Sequence, residues 1–273
     1  MPGHGHNRPE RETIMPNAPI VLLHGTNAAP WTMQTFTRFF EQQGYSCHTP
    51  TYRHHDLPAS DERQTALTGL SIADYVSDIS AFISGLEQPP IVIGHSLGGL
   101  IAQLLAARGE IRAAVLINSS ICHGTLPTTD MERALGKGFM SAGRFWEMAP
   151  GQDFELLAAY GLNTMPEHQQ HAICDRLGTE SGTVLFELFF WMYDINQTTW
   201  IDHATVQTPL LFLSGTEDKV VPPSTSRAMA SRYGDWARFV EVEGKCHYMQ
   251  LEDGWQDIAQ TSLDWISALP ETS

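Results

Sequence analysis

The sequence predicts an α/β fold: a mostly parallel central sheet with helices on both faces and a helical cap inserted into it. Two observations carry this. Short continuous apolar runs alternate with stretches whose apolar residues recur at helical spacing, the pattern of strands buried on both faces and joined by helical crossovers. Almost ninety residues, from near Ser120 to Pro209, show no strand pattern. A compact crossover needs far fewer. A chain of 273 residues, 42% hydrophobic and 17% charged, is large and apolar enough to bury a full core.

The elements follow in order. Ile20-Val-Leu-Leu23 is the first buried run and breaks at His24-Gly25. Residues 31–43 read as a helix, with Met33, Phe36, Phe39 and Phe40 on one side and Gly44 as its stop. Residues 45–52 read as a strand, followed by a polar loop containing proline. Ser71 and Asp74 form a capping signal ahead of a stripe of Ile72, Tyr75, Ile79, Phe82 and Ile83. Pro89-Pro90 forbids continuation. Ile91 to Ile93 is a strand, Leu97 to Arg108 a helix and Ala113 to Ile117 a strand. Beyond the insertion, Pro209 to Leu213 and Arg238 to Val242 are strands, and Trp255 to Ile266 is a final helix. The domains that result are a polar tail over 1–17, with Met15 as an alternative start, a core over 18–122 and 205–273, and a cap over 123–204. Of the 26 aromatic residues, 11 fall between Phe139 and Trp200, nearly twice an even share. The cap is therefore where an apolar pocket wall is expected, with Phe189, Trp191 and Met192 as candidates.

Charge narrows the function. There are 31 acidic residues against 16 basic ones, a net charge of -15. Such a surface repels phosphate backbones and anionic membranes, so neither nucleic acid nor membrane is expected as a partner. No apolar run approaches the roughly 18 residues of a membrane span. The first residues lack the apolar core of a secretory signal. Cys47, Cys122, Cys174 and Cys246 are widely spaced and read as reduced thiols, which points to the cytoplasm. Oligomeric state is not legible.

The chemistry is carried by Gly94-His95-Ser96-Leu97-Gly98, a G-x-S-x-G pattern between an apolar strand and an apolar helix. A serine attacks only if it projects from a sharp turn within reach of a base. That turn brings its neighbours into near contact, so small residues are required at 94 and 98. The following helix N-terminus adds a partial positive charge below the serine.

In these residues, and in element order over 18–268, the sequence resembles the α/β-hydrolase family. The resemblance implies a nucleophile, an acid and a base in the order Ser…Asp/Glu…His. It makes Ser96 the nucleophile. It places the acid at Asp218, in Gly215-Thr-Glu-Asp218 after a strand, with Glu217 as competitor. It places the base at His247, in Gly244-Lys-Cys-His247 after the last strand. The oxyanion donors it implies are the backbone N–H groups of Leu97 and of Thr26, the latter after the His24-Gly25 pair. Gly25 and His95 are expected beside the substrate. His54-His55-Asp56 completes no metal site, no phosphate or dinucleotide loop is present, and no cofactor is expected.

Three functional readings follow. One is a carboxylic-ester hydrolase acting on a small to medium, largely apolar ester as its small-molecule partner. A second uses the same triad as a hydroxynitrile-lyase-like lyase or C–C hydrolase. Such lyases resemble one another in a Thr after the first His and a Lys after the catalytic His, where this chain has Gly25 and Tyr248. The third is a catalytically weak binding member of the fold.

Overall fold

Period-two alternation inside the strands decides how the sheet is covered. The structure is a computed structural model and describes residues 18–58, 60–141 and 143–270. The tail expected over 1–17 lies outside them. Six strands, β1 (Ile20–Leu23), β2 (Cys47–His48), β3 (Ile91–His95), β4 (Ala113–Ile117), β5 (Leu210–Gly215) and β6 (Ala237–Val242), form one parallel sheet in the order β2-β1-β3-β4-β5-β6.

The helices are α1 (Gln34–Gln42), α2 (Asp61–Leu67), α3 (Ile72–Ile83), α4 (Leu97–Ala107), α5 (Asp130–Ser141), α6 (Phe154–Leu156), α7 (Glu167–Cys174), α8 (Gly182–Phe189), α9 (Pro223–Ala230) and α10 (Trp255–Ser267). Ile20, Leu22, Ile91, Ile93, Val115 and Leu213 face one side, where Phe36 and Phe40 of α1 and Ile258 and Ile266 of α10 cover them. Val21, Leu23, Val92, Leu116 and Phe212 face the other, against α3, α4 and α9. Both faces are dry, as a parallel sheet demands. No strand occurs between β4 and β5 among the described residues; α5 to α8 occupy that stretch. No single helix among the described residues is long and apolar enough to cross a membrane.

Three local readings change. The strand expected over 45–52 pairs only at Cys47 and His48, because it is a sheet edge and Pro50 has no N–H to continue the ladder. The helix expected over 31–43 opens with a 3₁₀ turn, Pro30–Met33, before α1. The loop after residue 52 contains α2, capped by Ser60 Oγ, which accepts the Arg63 N–H at 3.2 Å. The expected capping box on α3 is present, with Asp74 accepting from the Ser71 N–H.

Strand order reverses between β1 and β3, so the connections leaving their carboxyl ends run to opposite sides and leave a crevice above the paired strands. Thr26 follows β1 and Ser96 follows β3 at that crevice.

Candidate active site

Ser96 is the single residue between β3 and α4, at φ 51° and ψ -116°. A side chain in that region costs about 1–3 kcal/mol and persists only where its surroundings over-determine it. Here they do: the Ser96 N–H donates to Ile117 O at 3.1 Å, and the Ser96 carbonyl accepts from Gly99 and Ser120 N–H groups at 2.9 Å each. A Cβ at Gly94 would overlap the Gly98 carbonyl, and one at Gly98 would overlap that of Leu23. The elbow therefore closes only with glycine at both positions. Ser96 is 5% exposed, and its Oγ lies 3.2 Å from Ser120 Oγ.

Asp218 follows β5. Its Oδ1 accepts the Val220 and Val221 N–H groups at 2.8 and 2.9 Å, which leaves Oδ2 to take His247 Nδ1 at 2.8 Å. Asp218 is 3% exposed, whereas the adjacent Glu217 faces solvent. The loop that carries His247 is held from below. Asn118 Nδ2 donates to the Cys246 and His247 carbonyls at 2.8 and 2.9 Å, while its Oδ1 accepts the Gly215 N–H at 2.8 Å. Glu252 accepts the Cys246 N–H at 3.0 Å and ties the loop to Thr164.

A cavity of about 490 Å³ opens above Ser96, Ser120, Thr26 and His247. Phe189, Trp191 and Met192 line it, together with Leu157, Leu188 and Val221. Glu132, Arg133, Lys137 and Asp153 add charge to its wall. Leu157 and Gly161 bound a turn of π-helix, a distortion frequent at functional sites. Leu97 is the first residue of α4, so its N–H has no partner four residues back and is available to an anion.

Two pocket expectations need correction. Neither Gly25 nor His95 lines the cavity. His95 is fully buried beside His247, its Nε2 donating to the His247 carbonyl at 2.9 Å. Burial, then the neighbouring His247, holds it well below the ordinary histidine value, so it stays neutral. Gly25 lies behind the serine, where a Cβ would stand 3.0 Å from His95 Nδ1 and 3.2 Å from Ser96 Cβ. The residue beside Ser96 in sequence points away from it, because alternation along β3 continues up to the elbow.

Asn118, Ser120 and Glu180 were not singled out from the sequence. A polar residue directly after a buried strand at the sheet's carboxyl edge is the signal that could have found Asn118. His55 of the His-His-Asp run is buried, its Nε2 3.2 Å from Glu180 Oε2. Burial, then the bond to Glu252, pushes the Cys246 thiol up to about 12, so it is no competing nucleophile. Among the described residues no group of three or more His, Cys, Asp or Glu could hold a metal ion.

Residues 20–261 match the model of the alpha/beta hydrolase family, and the chain belongs to that family. No curated protein matches it. Among solved structures it is similar to an extracellular alpha/beta-hydrolase from a Paenibacillus species, described as sharing structural and functional homology with tobacco salicylic acid binding protein 2 (19% identity, 90% of this chain and 98% of that one, TM-score 0.69). It is also similar to a Paleococcus ferrophilus monoacylglycerol lipase (20% identity, 92% and 96% coverage, TM-score 0.65) and to a methylesterase from Arabidopsis (13% identity, 92% and 100% coverage, TM-score 0.67). At these identities the likeness is one of fold.

Proposed function

We propose that the protein is a serine hydrolase that cleaves a carboxylic ester through an acyl-enzyme. The observation that carries this is the 2.8 Å bond from His247 Nδ1 to Asp218 at the wall of the cavity that also holds the strained Ser96. With Nδ1 committed to Asp218, Nε2 is the basic nitrogen. The Ser96 hydroxyl turns from Ser120 towards it, gives up its proton and attacks the ester carbonyl. The oxyanion is received by the N–H groups of Thr26 and Leu97. His247 then protonates the leaving alkoxide and activates the water that releases the acid.

The aromatic and aliphatic wall suits a small to medium, largely apolar acyl or alkoxy group, with residues 123–204 acting as a cap. Family relatives of similar fold include a lipase and a methylesterase. Tyr248 follows the base where the lyase pattern has Lys, and it is buried against the His95 ring, which favours hydrolysis. The free thiols of Cys47, Cys122, Cys174 and Cys246 fit a reducing, cytoplasmic compartment.

The test is a panel of p-nitrophenyl esters of graded acyl length, with a phosphonate label. Turnover with labelling at Ser96, both lost in Ser96→Ala, is the expected result. Labelling elsewhere, or full activity in the alanine variant, overturns the assignment.

A further inference from the structure

The segment between β4 and β5 reaches the Thr26 loop through one fully buried carboxylate. Glu180 Oε2 accepts the Asn27 N–H at 3.1 Å and faces His55 Nε2 at 3.2 Å. Its Oε1 accepts the Tyr75 hydroxyl at 2.8 Å and the Ser181 N–H at 2.9 Å. Burial alone would raise this carboxyl, but His55, followed by the hydrogen bonds from Tyr75 and Asn27, outweighs it and keeps the group below the usual glutamate value. Three of the four groups bonded to Glu180, those of Asn27, His55 and Tyr75, thus come from the core.

Asn27 is tied to the same segment through its N–H, its carbonyl and its side-chain Nδ2. It stands at φ 57°. Its Nδ2 donates to the Pro150 and Gly178 carbonyls at 3.2 and 2.9 Å, and its own carbonyl accepts the Gly178 N–H at 2.7 Å. One peptide plane earlier, His24 Nδ1 donates to the Gly25 carbonyl at 2.9 Å. The Gly25 carbonyl and the Thr26 N–H share one peptide plane, and the Asn27 N–H belongs to the next. The two planes flanking the Thr26 Cα are therefore pinned separately, the first by His24 and the second by Glu180. Fixing both planes fixes the torsions of Thr26 and the direction of its N–H.

We propose that Glu180 is a positioning residue for the reaction: by holding the Asn27 N–H it aligns the Thr26 N–H on the oxyanion, so the inserted segment sets the transition-state donor as well as the pocket wall. This rests on the ester-hydrolase reading above. A donor acts on the charge that develops in the transition state and much less on the bound ester. Loss of Glu180 should therefore lower kcat and spare KM, whereas a purely structural carboxylate would affect only stability.

The probes are an aryl-alkyl trifluoromethyl ketone, to which Ser96 adds to form an oxyanion, and the corresponding alcohol, which fills the cavity without one. The wild type should prefer the ketone, and Ser96→Ala should abolish the preference; failure there removes the hydrolase reading and this inference together. With that preference in place, Glu180→Gln should weaken ketone binding and lower kcat by about 10- to 100-fold. Alcohol binding and KM should stay within about threefold. Tyr75→Phe removes a partner of Glu180 Oε1 and leaves Oε2, the oxygen that holds Asn27, in place; it should lower thermal stability and leave the ketone-to-alcohol ratio unchanged. If Glu180→Gln does not fold, Glu180→Asp keeps the charge, draws the oxygen back from Asn27 and is read in the same way. An unchanged ratio in the Glu180 variant, or an equal fall in Tyr75→Phe, overturns the role of Glu180 and leaves the hydrolase reading standing.

Discussion

Asn118 and His247 are joined at the carboxyl edge of the sheet, with Asn118 Nδ2 donating to the His247 carbonyl oxygen at 2.9 Å. The same side chain holds Gly215, at the root of the turn that carries Asp218. One buried amide thus fixes the loops of Asp218 and His247 relative to each other. Asn118→Ala should destabilise the protein by about 1–3 kcal/mol, the cost of orphaning buried polar groups. It should also lower kcat by about tenfold or more, since the acid and base loops lose their common anchor. Denaturant unfolding and steady-state kinetics on the same preparation check both. A stable variant with wild-type kcat would show that the clamp does not position the base.

The backbone of Ser96 makes a second expectation. Its φ of 51° is strained for any residue with a Cβ. Ser96→Gly relieves about 1–3 kcal/mol of strain and gives back about 1 kcal/mol through the freer unfolded chain. The glycine variant should therefore melt at or above the wild-type temperature, and above Ser96→Ala, while both are inactive. Differential scanning calorimetry on the three proteins decides; a glycine variant less stable than the alanine one would contradict the strain.

For the acid, Asp218→Asn should lower kcat by about 10³- to 10⁴-fold, through a wrong imidazole tautomer and an unstabilised imidazolium. Glu217→Gln should change kcat by less than about threefold, because Glu217 faces solvent. Circular dichroism serves as the folding control. The reverse ranking would move the acid one residue earlier.

Acid sensitivity should come from buried imidazoles. Burial, reinforced by the neighbouring His55, lowers His24 to about 3, and burial, reinforced by Arg232, lowers His203 to about 4. His95 also lies well below its ordinary value. The unfolded chain protonates these groups near 6.5, while the folded chain keeps them neutral to much lower pH. Between those limits the unfolded state binds more protons, so stability falls as pH falls. Each fully displaced group contributes a slope of about 1.4 kcal/mol per pH unit. Urea unfolding at pH 7, 6 and 5 should show this loss, and His24→Asn, which keeps a donor for the Gly25 carbonyl, should make the slope shallower. An equally steep slope in that variant would assign the protons elsewhere.

The parts of the fold that could be read from the chain are those governed by local period. Ile20 to Leu23 and Ala113 to Ile117 are continuous apolar runs because both sheet faces are covered, and burial on two sides leaves no polar position. Gly94 and Gly98 were legible because the elbow forbids a Cβ at both. What escaped depends on contacts that local pattern does not encode. Glu180 is one acidic letter in a strandless stretch, and its meaning comes from Asn27, 153 positions earlier. His95 was misjudged as a pocket residue because adjacency to Ser96 in sequence hides the reversal of side-chain direction at the elbow. β2 was overestimated because neither its edge position nor its pairing with β1 can be seen from its own residues.

The spacing of the site along the chain bears on how it comes into being. His95 and the His247 carbonyl it supports are 152 positions apart, and Asn118 is 129 from the same group. A ribosome exposes the serine elbow long before it has made the loop that carries the base. Contacts of such separation close late, after most of the loop entropy has been lost. On the proposed reading a partly made chain carries Ser96 without His247, and reactivity towards esters should arise only once β6 and the loop after it have docked.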